Sequence, residues 1–320
     1  MTDTVRAKLL PIPPLEMREL VGPTEEAMFD NPQHTPVIAN VPLECYESVF
    51  DFGCGCGRLA RQLLQQIPRP KRYLGIDLHR GMVEWCRQNL SPHDGSFKFL
   101  HHDIFNAGFN PGPGKPAFLD LPADTRSFKL MLAWSVFTHT TQSQTEHYLR
   151  EASRILSLDG ILVSTWFLFE KRYFPMMQDF QNAIYINEYD VTNAVIFDRE
   201  WLELVLSGLD LCVVHAVPPF VRGFQWQLHL AHTASGRPPV SLPMDNAPFG
   251  RVPPPVTTKD VSQLGFEPVS AADPDACANR LPPKDESDRQ VSLSETVNAD
   301  SARSGGLGRR LWRFVSRRSN

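Results

Sequence analysis

Residues 48–58 read SVFDFGCGCGR: a short apolar run reaching Asp51, then Gly53, Gly55 and Gly57 at alternate positions. Few folds admit a strand that ends in an acid and turns on three glycines before a helix. Glycine is needed there because a Cβ would block both the turn and the close approach of a ligand to backbone. The helix expected from about Arg58 directs its free N–H groups and positive dipole end at the same point. The stretch predicts a nucleotide-like ligand held against the first turn of an α/β sheet.

The chain continues in the same rhythm. Residues 71–77 (KRYLGID) read as a second strand ending in Asp77, 20 positions after Gly57. A carboxylate placed there accepts two hydroxyl donors at once, which suits a ribose diol. Residues 97–100 form a third strand leading into His101, His102, Asp103 and Ile104. Asp103 is placed either to accept from an adenine amine or to cap its own loop. A fourth strand, 128–134, runs into Ser135, Val136, Phe137, Thr138 and His139. The helix after it starts at Gln142, with Ser143 and Glu146 read as a capping box, and Asp159-Gly160 is expected to end it before a fifth strand at 161–167. Helices are expected near 57–67, 80–90 and 142–157. The proline- and glycine-rich link from Asp103 to Phe128 reads as a loop. Residues 171–197 form an aromatic-rich insertion, Asp198 caps a further helix, and 209–217 and 224–232 supply the last two strands.

Two ligands compete for the glycine turn. The dinucleotide fingerprint fits Gly55, Gly57 and Ala60 but leaves Asp51 and Gly53 without a role. Read as acid-x-G-x-G-x-G, all four positions are used. The turn then cradles the amino-acid part of S-adenosylmethionine, and Asp51 accepts from its ammonium through water.

FGCGCGR, the SVFTH loop and the strand–helix–DG–strand run after it resemble the class I S-adenosylmethionine-dependent methyltransferases. The likeness is greatest to a bacterial subgroup carrying FGCGCGR and SVFTH together, and PIPPLEMRELVG (11–22) is similar to that subgroup's lead-in. The resemblance covers roughly residues 10–232. It implies an α/β, Rossmann-like, doubly wound and mostly parallel seven-stranded sheet with an antiparallel last strand. Ligands of such sheets lie at the carboxyl ends of the strands. That places Asp51, Gly53, Cys54, Gly55, Gly57, Asp77, Leu78, Met82, Asp103, Ile104, Trp134 and Ser135 at the cofactor. Met82 and Trp134 serve equally well as core.

Methyl transfer asks the protein to align the reactants and to take a proton from a hydroxyl acceptor. His139, at the end of the fourth strand, is the candidate base, or else orders its loop. No metal is expected: His101, His102 and Asp103 are consecutive and cannot face one ion from an extended segment. Trp166, Tyr173, Phe174, Tyr185 and Tyr189 are placed to roof a flat or sugar-like acceptor, so O-methylation of a small molecule or glycan-linked acceptor is expected. An NAD(P)-dependent oxidoreductase and a non-catalytic cofactor-binding scaffold are the alternatives.

Composition divides the chain. Residues 235–320 hold 11 of the 28 prolines but four aromatics, too little apolar surface to support a core. The expected order is a lead-in or lid (1–45), a methyltransferase domain (46–234), a disordered acidic linker (235–305) and a basic amphipathic tail (306–320). From Asp260 to Asp300 nine acids face three bases, and from Arg303 onward there are six arginines and no acid. Such a tail suits an anionic inner-membrane surface or a partner protein. The formal charge of −4 gives no reason for a nucleic-acid partner. The six cysteines show no zinc spacing, and no signal peptide is seen, so a cytoplasmic protein with reduced thiols is expected.

Overall fold

The computed structural model describes residues 10–187, 189–219 and 223–242. Their order is α1 (Leu15–Val21), β1 (Ser48–Phe52), α2 (Arg58–Gln65), β2 (Arg72–Asp77), α3 (Arg80–Asn89), β3 (Phe97–His101), β4 (Phe128–Ala133), α4 (Gln142–Ile155), β5 (Leu156–Phe169), β6 (Ala183–Tyr185), β7 (Val195–Asp198), α5 (Arg199–Gly208), β8 (Leu211–Val217) and β9 (Trp226–His232). The strands β3-β2-β1-β4-β5 lie side by side and parallel. Strand β9 then pairs antiparallel with both β5 and β8. The mixed α/β architecture and its antiparallel closing strand are as expected.

Both faces of the sheet are covered, which is why β1 is buried at every position after Ser48. Phe50, Met131 and Leu162 face Tyr148, Leu149 and Ala152 of α4 and Trp201 and Leu202 of α5. Val49, Leu130 and Val163 face Leu59 and Leu63 of α2 and Val83 and Cys86 of α3. Successive residues of one strand therefore feed two separate cores, as the two-residue period of a strand requires.

Four local expectations are corrected. Nine strands are paired among the described residues, because the insertion supplies β6 and β7. Strand β5 is 14 residues long and outruns β9, so its last residues, 167–169, take 196–198 of β7 as a parallel partner. Helix α4 ends at Ile155, and Asp159-Gly160 falls inside β5 beside a register shift opposite β4. A Cβ on Gly160 would lie 2.9 Å from the Lys129 carbonyl, so the glycine permits close strand approach there and does not stop a helix. The capping box is Thr141 with Gln144, each side chain meeting the other's backbone N–H. It displaces the Ser143–Glu146 pair because the helix already begins at Gln142; Glu146 instead accepts from Gln142 at 3.3 Å.

The lead-in is fixed to α2 chiefly through Arg61, with Gln62 and Gln65 adding bonds to Met28, Asp30 and Asn31. Arg61 donates to the carbonyls of Leu10, Pro11 and Phe29 and pairs with Asp30. Arg18 similarly holds the carbonyls of Pro13 and Thr24. The expected linker beyond residue 242 and the expected basic tail lie outside the described residues. No helix among the described residues is long and apolar enough to cross a membrane.

Candidate functional site

The strand order reverses between β1 and β4, so a crevice opens at their carboxyl ends, where ligands of open α/β sheets bind. Gly53, Gly55 and Gly57 have φ of +78°, +53° and +81°, the left-handed region that costs other residues roughly 1–2 kcal/mol each. A Cβ at each would also meet the protein itself: Val136 at 2.4 Å, Val21 at 2.7 Å and Leu90 at 2.5 Å. The glycines thus satisfy the turn and its packing, and the turn's free backbone is what remains for a ligand. The N–H groups of Gly53 and Cys54 donate to the Ile76 carbonyl, which locks the turn to β2.

Asp77 holds the same turn from the other side. One carboxylate oxygen accepts from the Gly55 N–H at 2.8 Å and the other from the His79 N–H at 2.7 Å. Burial raises its pKa, while these two N–H groups oppose the rise. Each oxygen keeps a further lone pair, enough for a diol.

Asp51 is 1% exposed, and burial pushes its pKa up to about 7, with the charge of Asp77 adding to the rise. The Tyr73 hydroxyl donates to it at 2.6 Å, and the positive charge of Arg58 also favours the carboxylate. Gly75 makes the tyrosine contact possible: its Cβ would lie 2.9 Å from the Tyr73 oxygen. Tyr73 was not among the residues expected at the site. Its signal is the Tyr73–Gly75 spacing on β2, with Gly75 in register with Asp51. A carboxylate so poised is well matched to a ligand cation, which replaces lost hydration with opposite charge.

The remaining expected cofactor residues divide. Trp134 is half-buried at the end of β4, with the Arg58 guanidinium 5.7 Å from its ring centroid. Ser135 has φ +56°; its N–H donates to Thr165 and its hydroxyl to Gln225, which ties the crevice floor to β5 and to the turn before β9. Leu78 packs against the larger core, and its carbonyl contacts the His101 ring. Cys54 is buried and its thiol pKa is raised by that burial, so it contributes backbone only. Ile104 is core, 5% exposed. Met82 lies 2% exposed in a cluster with Phe29 and Cys56, under the lead-in, which is the core placement left open for it. Asp103 ties its own loop, one oxygen meeting Lys115 at 2.9 Å and Asn110 at 3.0 Å, which hold its pKa down at about 2.

His139 ends a helical turn, 137–139, after β4. Its Nδ1 lies 3.0 Å from the Thr192 carbonyl. A carbonyl only accepts, so Nδ1 carries the hydrogen and Nε2 is left as the basic nitrogen. Burial lowers the pKa of the ring and so favours its neutral form, while the Thr192 and Asn193 carbonyls oppose the fall. The partner that fixes this tautomer comes from the insertion.

Of the five aromatics expected to roof an acceptor, Trp166 is corrected. It is fully buried and stacked on Phe137 at 4.3 Å between centroids, a core contact. Tyr173, Phe174, Tyr185 and Tyr189 are exposed on the insertion. Among the described residues no group of three or more His, Cys, Asp or Glu side chains is arranged to hold a metal ion.

Several solved structures are similar to parts of this chain. An S-adenosylmethionine-dependent methyltransferase from Methanosarcina mazei is 16% identical over 62% of this chain and 96% of its own, with a TM-score of 0.42. An O-methyltransferase of neocarzinostatin biosynthesis is 13% identical over 61% of this chain and 51% of its own, with a TM-score of 0.42. A putative methyltransferase of Haloferax volcanii, in complex with an activator, is 18% identical over 61% and 85%, with a TM-score of 0.42. The chain spans 52% of the length of a matching cyclase and 65% of a Bacillus subtilis protein. Residues 49–160, which carry Asp51, the glycine turn, Asp77, Asp103 and His139, match the family model of a methyltransferase domain.

Proposed function

We propose that this protein is an S-adenosylmethionine-dependent methyltransferase that methylates a hydroxyl oxygen of a small or glycan-linked acceptor. The observation that carries the reading is the glycine turn that follows buried Asp51 and is tied to Asp77 through the Gly55 N–H, inside the stretch that matches a methyltransferase domain. S-adenosylmethionine is the cofactor, and its residues fit: Asp51 meets an ammonium, the turn's backbone the amino-acid chain, and Asp77 the ribose hydroxyls. When bound, it supplies a methyl group already activated on a sulfonium. The chain's own task is to orient the acceptor, exclude water and take one proton. His139 Nε2 takes that proton, with Nδ1 held by Thr192. A neutral ring with one fixed N–H is the form a base must have before the step.

Calorimetry with S-adenosylmethionine and with NAD tests the cofactor: micromolar binding of the first alone is expected, and binding of NAD alone overturns the reading. Transfer of a labelled methyl group into fractionated extract, followed by mass spectrometry, tests the acceptor. A product methylated on nitrogen or carbon overturns the choice of oxygen, and cofactor binding with no labelled product favours the scaffold.

A further inference from the structure

The first residue after the glycine turn is Arg58, which opens α2. Its guanidinium reaches across the crevice mouth to the Trp134 ring at the end of β4. No hydrogen bond or ion pair engages it among the described residues. Arg61, one turn later on the same helix, shows how unusual this is: its guanidinium meets three carbonyls and a carboxylate. Arg58 is half-buried as a residue, and its guanidinium is desolvated without any bonded partner to answer it among the described residues.

The burial it does have works against its charge. Desolvation lowers the Arg58 pKa, and the negative charge of Asp51 opposes that fall. Yet the two groups are not bonded, since Asp51 is held by Tyr73. The crevice therefore presents a carboxylate and an uncommitted guanidinium near each other, beside the N–H groups that begin α2. An α-amino acid zwitterion carries the complementary pair. A planar guanidinium matches a carboxylate with two parallel hydrogen bonds, a geometry that lysine lacks.

We propose that Arg58 anchors the carboxylate of the cofactor's amino-acid end, while Asp51 receives its ammonium. The inference rests on the proposed function and assigns one residue of the site. It makes Arg58 a determinant of cofactor specificity: the residue separates ligands with a carboxylate from ligands without one, whatever the adenosine contacts contribute.

The test is calorimetry on the full chain with three probes: S-adenosylhomocysteine, its decarboxylated analogue, and 5′-methylthioadenosine, which lacks the whole amino-acid end. Wild-type protein is expected to prefer S-adenosylhomocysteine over the decarboxylated analogue by about 30-fold or more, the scale of a charge-assisted pair. In Arg58→Met that preference falls to within about 3-fold, binding of 5′-methylthioadenosine stays at its wild-type value, and Arg58→Lys recovers part of the preference. Because the preference is a ratio measured within each variant, partial unfolding does not move it. A wild-type preference retained in Arg58→Met overturns the assignment and leaves Arg58 as a counter-charge for Asp51, with the proposed function intact. Failure of wild-type protein to bind all three probes overturns the proposed function as well.

Discussion

The glycine turn and the insertion at 171–197 flank the same crevice and are built on opposite principles. Around the turn, charged groups are desolvated and answered one by one: Asp51 by Tyr73, and Asp77 by two backbone N–H groups. In the insertion, large apolar side chains stand in solvent; Met176, Phe180 and Tyr189 are 87%, 75% and 84% exposed. The first region is organised before any ligand arrives. The second is tied to the rest of the fold at a few points: β7 pairs with β5, Tyr185 accepts from the Gln142 N–H, and Thr192 meets His139. A shared cofactor rewards a rigid site, whereas an acceptor surface is free to differ between relatives on one scaffold.

The sharpest way to break the contrast is to truncate aromatics on its two sides. Trp166→Ala removes a fully buried ring stacked on Phe137 and should cost roughly 3–5 kcal/mol in urea unfolding. Tyr189→Ala should change stability by no more than about 0.5 kcal/mol. Equal losses would mean that the insertion packs as core.

Next in size is Asp77→Ala. Two hydroxyl contacts to a carboxylate are worth at least roughly 1.5 kcal/mol each, so cofactor affinity should fall about 100-fold or more by calorimetry. Thermal denaturation of the same sample shows whether the turn survives without its tie to Gly55. An intact fold with unchanged affinity would place the ribose elsewhere.

His139→Ala separates the regions differently, because its ring belongs to the crevice and its hydrogen-bond partner to the insertion. Turnover should drop by about 100-fold while cofactor affinity stays near wild type. Thr192 contributes through its backbone carbonyl, so Thr192→Ala should keep most activity. Loss of cofactor affinity in His139→Ala, with turnover unchanged, would reduce the histidine to ordering its loop.

The same contrast explains what the sequence disclosed. The turn was legible because each of its residues is constrained by local chemistry: left-handed glycines, an acid at a strand end, another 20 positions later. A parallel sheet followed from apolar runs that alternate with helices. Tyr73 escaped notice because its role is set by register, β2 lying beside β1, and a tyrosine in a strand has no local reason to face a carboxylate. Met82 and Ile104 show the converse: both are buried, and a pattern of strand ends does not say whether such a side chain packs as core alone or also lines a ligand. The capping box was misjudged by two residues because T-x-x-Q and S-x-x-E overlap at 141–146. The pairing of β7 with β5 was hidden because it depends on β5 running past its neighbour, a length that a run of apolar residues does not announce.

The smallest expected effect probes the buried side most finely. Asp51 titrates at about 7 in the ligand-free protein, raised by burial and by the charge of Asp77, and lowered by Tyr73 and Arg58. A ligand ammonium binds the ionised carboxylate, so affinity should be flat above that value. As pH falls from 7 to 6 it should decline by up to about 10-fold, since each bound ligand must displace a proton. Tyr73→Phe removes a donor that favours the ionised form, so the midpoint should move upward and affinity at pH 7 should fall by about 5-fold, roughly 1 kcal/mol for one hydrogen bond. Calorimetry between pH 5.5 and 7.5 reads both, below the range where an α-amino group itself titrates, about 7.7–8.0. No comparable midpoint is expected for acceptor binding, since the exposed tyrosines of the insertion have no buried charge to answer. An affinity profile independent of pH in wild type and Tyr73→Phe alike would show that the ammonium lies away from Asp51, and that the buried side of the crevice is organised around some other charge.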